Sequence, residues 1–237
     1  MVTTNFWLVG TSALGVVIFG FIVGLYSILR SIKMKQNLLR IFGFMAILMG
    51  MLLLGPAVDF LMVLFTTLFT GTGVNIHPLY LYGILSYMWV APALIISMYI
   101  GATLFAPKAK WYIVGVFTIL GIVFEYLLFF DTIGSFDPFV DPLGEDVIDA
   151  SFNNASLAFI LIVIFILATT IFCAGGALRK SFKSTGELKK KFLYISIGFF
   201  IFTIAAVIDS LLNIAIILFV ARFGFIIDNI FLYIGIK

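Results

Sequence analysis

The sequence predicts an all-α protein, a polytopic bundle of about seven transmembrane helices with its N-terminus outside and its C-terminus in the cytoplasm. Three observations carry this. Hydrophobic residues fill 63% of the 237 positions and charged ones 11%, whereas a soluble domain carries about 25% charged residues. Residues 6–29, 78–107 and 150–178 hold no charged side chain, and about 20 apolar residues cross a hydrocarbon layer of about 30 Å. Basic residues recur in every second connection. Backbone groups in lipid must be paired within their own segment, so such runs are helices. Strands of a membrane barrel would alternate polar and apolar over about ten residues, and these runs do not.

The first helix is expected over 6–29, where Gly20 and Gly24 make a GxxxG pair suited to close helix packing or to dimerisation. The second covers 38–65 and contains Pro56 and Asp59. The third covers 79–105, with His77 and Pro78 at its entry, Pro92 inside it, and Ala93, Ser97 and Gly101 as a stripe of small residues. A proline inside a helix removes a hydrogen bond and kinks the axis. The fourth covers 111–130 and carries Glu125. The fifth covers 156–178 and holds Cys173, the single cysteine, expected to pack as a small apolar side chain. Residues 192–236 are almost continuously apolar, too long for one span, and divide into a sixth helix over 192–216 and a seventh over 219–236. Met1–Asn5 has no basic side chain, so no cleavable signal peptide is expected.

The basic residues set the orientation. Arg30, Lys33, Lys35 and Arg40 lie between helices one and two, and Lys108 and Lys110 between three and four. Arg179, Lys180, Lys183, Lys189, Lys190 and Lys191 lie between five and six, and Lys237 ends the chain. Short loops rich in Lys and Arg stay cytoplasmic, where they also suit contact with anionic lipid. The connection between helices four and five holds Asp131, Asp137, Asp141, Glu145, Asp146 and Asp149 with no basic residue, as a solvated outer loop would. A shift of 150 positions lays Arg30, Ser31, Lys33, Arg40 and Asp59 on Lys180, Ser181, Lys183, Lys190 and Asp209. Hairpins 6–65 and 156–216 thus read as a parallel repeat of the kind found in transporters, although the positive-inside bias alone would align the loops. The whole of 1–237 reads as one domain.

Candidate functional residues are the charges inside the spans. Each costs about 2.5–3.5 kcal/mol at mid-helix on insertion scales, so such groups face a bundle interior or a wet cavity. At 1.5 Å per residue, Asp59 and Asp209 lie about 28 Å from Arg40 and Lys190, and Glu125 about 21 Å from Trp111. Arg222 lies about 22 Å from Lys237 and Asp228 about 13 Å. Asn213 shares a helical face with Asp209 at i+4. Asp59, Glu125, Asp209, Asn213, Arg222 and Asp228 therefore make the expected ligand or ion pocket, facing outward. Arg222 is the natural bidentate partner for one carboxylate. The plainer reading of Asp59 and Asp209 is that they reach headgroup water.

Enzyme chemistry has little support. His77 and Cys173 fall on opposite sides, no zinc-ligand cluster exists, and no catalytic, metal or cofactor set is expected. Ala57-Val58-Asp59 and Val207-Ile208-Asp209 lack the GxGD context of intramembrane aspartyl proteases. The last helix has no internal lysine for a retinal Schiff base, and nothing points to nucleic acid.

With an outside N-terminus, these span lengths, and a last hairpin that includes Ala221-Arg222-Phe223-Gly224 through Tyr233-Ile234-Gly235, the chain resembles the seven-helix sensor region that precedes the kinase in some prokaryotic membrane histidine kinases. The resemblance implies a non-enzymatic sensor or receptor in the cell membrane. With the sequence ending at Lys237, it implies one that stands alone, as a homo-oligomer or with a separate cytoplasmic or membrane signalling partner. The alternative is a small transporter or channel, with Asp59 and Asp209 as paired carboxylates on a cation or proton path.

Overall fold

The computed structural model describes residues 3–71, 79–136, 152–212 and 214–237. Asn213, His77 and the loop acids Asp137, Asp141, Glu145, Asp146 and Asp149 lie outside the described residues. Among the described residues no strand forms, and the single β-type pair is Phe136 with Phe152. Six helices are long and apolar enough to cross a membrane, and a bent pair makes a seventh. The chain is a multi-pass, all-α membrane protein.

Helix α1 runs Thr4–Met34. The Thr3 hydroxyl accepts from the Phe6 N–H at 3.1 Å and caps it, and Lys35 ends it in the left-handed region at φ 54. Its small residues settle the use of the GxxxG pair. A Cβ on Gly20 would lie 2.7 Å from Gly50 Cα, and one on Gly24 would lie 2.6 Å from the Gly43 carbonyl oxygen. Both glycines thus serve packing within the chain, against the following helix, where missing side chains let backbones approach.

The expected second helix is two. α2 (Asn37–Met51) and α3 (Leu54–Thr70) meet at a 50° bend. Pro56 causes it: its ring excludes the carbonyl four residues back, at Leu52. The Leu52 and Leu53 N–H groups turn instead to the Met49 and Gly50 carbonyls at 3.3 and 3.4 Å, a tighter winding. The expected third helix is interrupted in the same way. α4 (Leu79–Tyr87) gives way to α5 (Val90–Phe105) at Met88 and Trp89, and Met88 is four residues before Pro92.

After a 3₁₀ turn at Pro107–Ala109, α6 (Lys110–Phe130) packs chiefly on α5 and leaves Trp111, Tyr112, Ile122 and Phe130 exposed, as a lipid-facing helix does. A short α7 (Thr132–Ser135) follows. The fifth span consists of α8 (Leu157–Ala168), a π-helical segment Thr169–Gly175 and α9 (Gly176–Lys183). α10 (Gly186–Leu211) and α11 (Ala215–Ile236) form the closing hairpin, and α11 is wedged against α10, α1 and α2.

Two expected limits are misplaced within uncharged sequence: α3 runs past 65 to Thr70, and the closing turn comes early, with α10 ending at Leu211 rather than 216 and α11 starting at Ala215 rather than 219. Three further limits are passed at charges: α1 passes Arg30 to Met34, α9 passes Arg179 to Lys183, and α10 starts six residues before Phe192. Charge marks the edge of the apolar run but does not stop the helix. Lys and Arg stems lie along apolar surface with the head in water, and cations favour a helix C-terminus. The basic ends converge: the Arg30 guanidinium donates to the Tyr26 hydroxyl at 2.6 Å, the Tyr26 ring lies 5.7 Å from Tyr233, and Lys237 sits 6.0 Å over Tyr233. The hairpins equated by the 150-residue shift are distorted differently, since Asp59 follows a break whereas Asp209 lies in an uninterrupted helix.

Two glycines of α1 test this packing with opposite signs. Gly24→Leu is expected to lower stability by about 2–3 kcal/mol through overpacking. A Cβ on Gly15 meets nothing within 4 Å, so Gly15→Ala is expected to raise stability by up to about 1 kcal/mol. Thermal unfolding in one detergent reads both.

Candidate functional site

At the end of the bundle that holds the N-terminus, one arginine ties three helices. Arg222 lies in the second turn of α11 and is fully buried. Its Nε donates to Asp209 Oδ1 on α10 at 3.0 Å, and its Nη1 donates to the Val9 carbonyl of α1 at 2.8 Å. The Ser12 hydroxyl donates to the same carbonyl at 2.9 Å. A guanidinium suits this position because its donors form a fixed planar fork, whereas an ammonium would offer one point charge.

Among the described residues, the other candidates sit on different elements or at different levels. Glu125 is half-buried on α6, whose principal contacts are with α5, α8, α7 and α4. Asp59 is fully buried on α3 beside the Tyr82 phenol of α4. Asp228 is fully buried nearly two turns beyond Arg222, and neither of its oxygens meets hydrogen-bond geometry. Its neighbour Asn229, unmarked in the sequence reading, is buried too and donates to the Phe225 carbonyl at 2.7 Å. Of the residues expected to form a pocket, Asp209 and Arg222 are joined by a direct ion pair. Glu125 and Asp228 are placed elsewhere by the helices that carry them. Among the described residues no group of three or more His, Cys, Asp or Glu side chains comes together.

Asp209 also faces a cavity that the charges did not announce. The α2/α3 break supplies Leu52, Leu53 and Pro56 to its wall, and the α4/α5 break supplies Ser86, Tyr87 and Val90. The π segment supplies Thr169. Three departures from regular helix therefore meet at one space of ≈ 90 Å³, room for several waters or a small organic group. The two breaks are stitched together: the Gly55 N–H, which the bend deprives of a helical partner, donates to the Ser86 hydroxyl at 3.1 Å. Position 55 must be glycine, because a Cβ there would strike the Tyr82 carbonyl. Deeper in the cavity, the Ser97 hydroxyl donates to the Ala93 carbonyl and the Thr169 hydroxyl to that of Phe165, each at 2.8 Å. Cys173 packs behind Ser97 as a buried apolar group, with its thiol 3.6 Å from the Ser97 carbonyl oxygen.

The chain matches no family model and no curated protein. Its functional reading therefore rests on the site. Sequence reasoning missed the cavity because most of its wall is apolar, and an apolar residue carries no chemical signal of its own. The usable signal was the pair of prolines, each placed to break a helix at matching depth from opposite directions.

Removing either end of the arginine tie should act unequally. Arg222→Met leaves the Asp209 carboxylate without its donor and is expected to cost about 3–5 kcal/mol. Asp209→Asn keeps an oxygen acceptor for Nε and is expected to cost less. Ser86→Ala strands the Gly55 N–H at a buried break and is expected to cost about 1–3 kcal/mol. Denaturant titration of the three purified variants ranks them.

Proposed function

We propose that this is a non-enzymatic sensor or receptor of the cell membrane, with its N-terminus outside, that binds a small molecule in the cavity at the helix breaks. The meeting of three helix irregularities at one cavity carries the reading. Non-helical backbone at membrane depth is tolerated where it is buried in protein or lines a cavity, and π segments are frequent at functional sites. Each irregular span also runs from the cavity to the basic end: α2 to Arg40, α5 to Lys108, and the π segment through α9 to Arg179 and Lys183. A change of angle at the cavity would move three basic connections together, where a separate signalling partner could read it. An occupant shifts such an equilibrium only by its differential affinity for the two arrangements.

Broken helices also occur in transporters, which keeps a cation or proton path as the second reading. Against it, the one carboxylate among the described lining residues is held by Arg222, and most of that lining is apolar.

Two measurements separate these readings. Proteoliposomes are expected to show no sodium or proton flux above empty vesicles. Flux that vanishes in Asp209→Asn would replace the sensor with a transporter. Spin labels at the exposed Leu68 of α3 and Ile122 of α6 are expected to give two distance populations that merge in Pro56→Ala. One narrow population shared by both proteins would remove the hinge.

A further inference from the structure

The cavity's own chemistry narrows what it can hold. Its wall includes Leu94, Ile162, Phe165, Ile166, Phe202 and Phe225, which select an apolar body. The polar groups sit at two levels. Asp209 and Ser210 lie near the end of α10, with Ser86 beside the helix breaks, while Ser97 and Thr169 lie deeper. From Phe202 to Ser210 the lining spans about 12 Å of α10. The occupant is therefore elongated, with a polar head at the Asp209 level.

The Asp209–Arg222 pair decides the head. Ser97 and Thr169 spend their protons on helix carbonyls, so towards the cavity they are acceptors. Asp209 is an acceptor as well, and the donor found on it among the described residues is Arg222 Nε, at Oδ1, which leaves Oδ2 open. No Lys, Arg, His, Asn or Gln stands among the described lining residues. At the Asp209 level an anionic head would find the Ser86 and Ser210 hydroxyls as donors, but it would stand beside a carboxylate, and like charge at close range is unfavourable. An ammonium would meet a carboxylate already neutralised by a guanidinium at 3.0 Å, and would have to shed its water for little return. A neutral donor keeps the Arg222–Asp209 pair intact and satisfies the open oxygen.

We infer that the cavity binds a neutral, elongated amphiphile whose head donates a hydrogen bond to Asp209, as a medium-chain alcohol would. This deepens the receptor reading and rests on it for the cavity being a binding site. Entry is from the bilayer, where such a molecule concentrates, and burial of its apolar body supplies most of its affinity.

The test uses the full chain in nanodiscs of neutral lipid at neutral pH. Three diazirine-bearing probes of equal length, an octanol, an octanoate and an octylammonium, are photo-crosslinked, and labelled peptides are mapped by mass spectrometry. The octanol is expected to label residues 86–97, 162–169 and 202–210 saturably, at least tenfold more than either charged probe. Equal labelling by all three, or preference for a charged probe, overturns the head-group assignment while leaving the cavity a binding site. No saturable labelling of these segments by any probe overturns both. Ala206→Phe, which fills the cavity and leaves the arginine tie alone, is expected to abolish octanol labelling in a protein that still elutes as one species. Unchanged labelling in that variant places the probe elsewhere and overturns the inference. Ser97→Ala and Thr169→Val are expected to weaken labelling at most threefold, since the head lies at the other level; a loss as large as that of Ala206→Phe overturns its placement at Asp209.

Discussion

A backbone N–H or C=O inside a hydrocarbon layer has no water to turn to, and every feature of this protein follows from how those groups are served. Regular helix serves them within the segment, which is why the apolar runs form α1, α6 and α11 without further conditions. The interruptions are the informative places. Where Pro56 bends the second span, the Gly55 N–H loses its helical carbonyl and takes the Ser86 hydroxyl of another span. That bond requires the α2/α3 break and the α4/α5 break to lie side by side, and the absence of a side chain at Gly55 allows the backbones to close. A cavity beside them follows, because two bent helices cannot fill the space that two straight ones would.

Charge is handled by the same logic of scarcity. Arg222 is acceptable in the interior because carboxylate and carbonyl oxygens from two other helices meet its fork. The result is a three-helix joint at one end, whereas α2, α5 and the π segment are linked near the cavity, among the described residues, by contacts of sulfur with Ser97 and by no ion pair. One end of the bundle is thus anchored and the middle is interrupted. A change of angle at the interruptions would break no ion pair found among the described residues.

Much of the fold was legible. Span number, the approximate limits of the helices and the clustering of basic residues depend on local hydropathy and on spacing along the chain, both of which one sequence contains. Helix ends at Met34, Lys183 and Gly186 were misread because the limits were drawn at charges, and snorkelling lysines and arginines carry helices past them; those at Thr70, Leu211 and Ala215 were misread because an almost continuous apolar run does not mark its own turn. The candidate site was legible only in part. Arg222 was recognised as a partner for a carboxylate, but which carboxylate it meets was not legible: it is Asp209, while Glu125 is half-buried on α6 and Asp228 is buried farther along α11. Depth along a helix can be counted from a sequence; the direction in which a residue faces its neighbours cannot, because it depends on which helices pack together.

By itself, then, the sequence determined that the chain enters the membrane as helices, since the transfer energy of each segment is a sum over its own residues. It also determined where those helices must break, since proline acts on the carbonyl four residues before it. Only the tertiary structure decided that the breaks at Leu52–Leu53 and Met88–Trp89 share one cavity with the π segment, and that Asp209 rather than Glu125 meets Arg222. Those outcomes turn on contacts between residues far apart in the chain, such as Val9 with Arg222 and Gly55 with Ser86, whose energies exist only once the helices have packed.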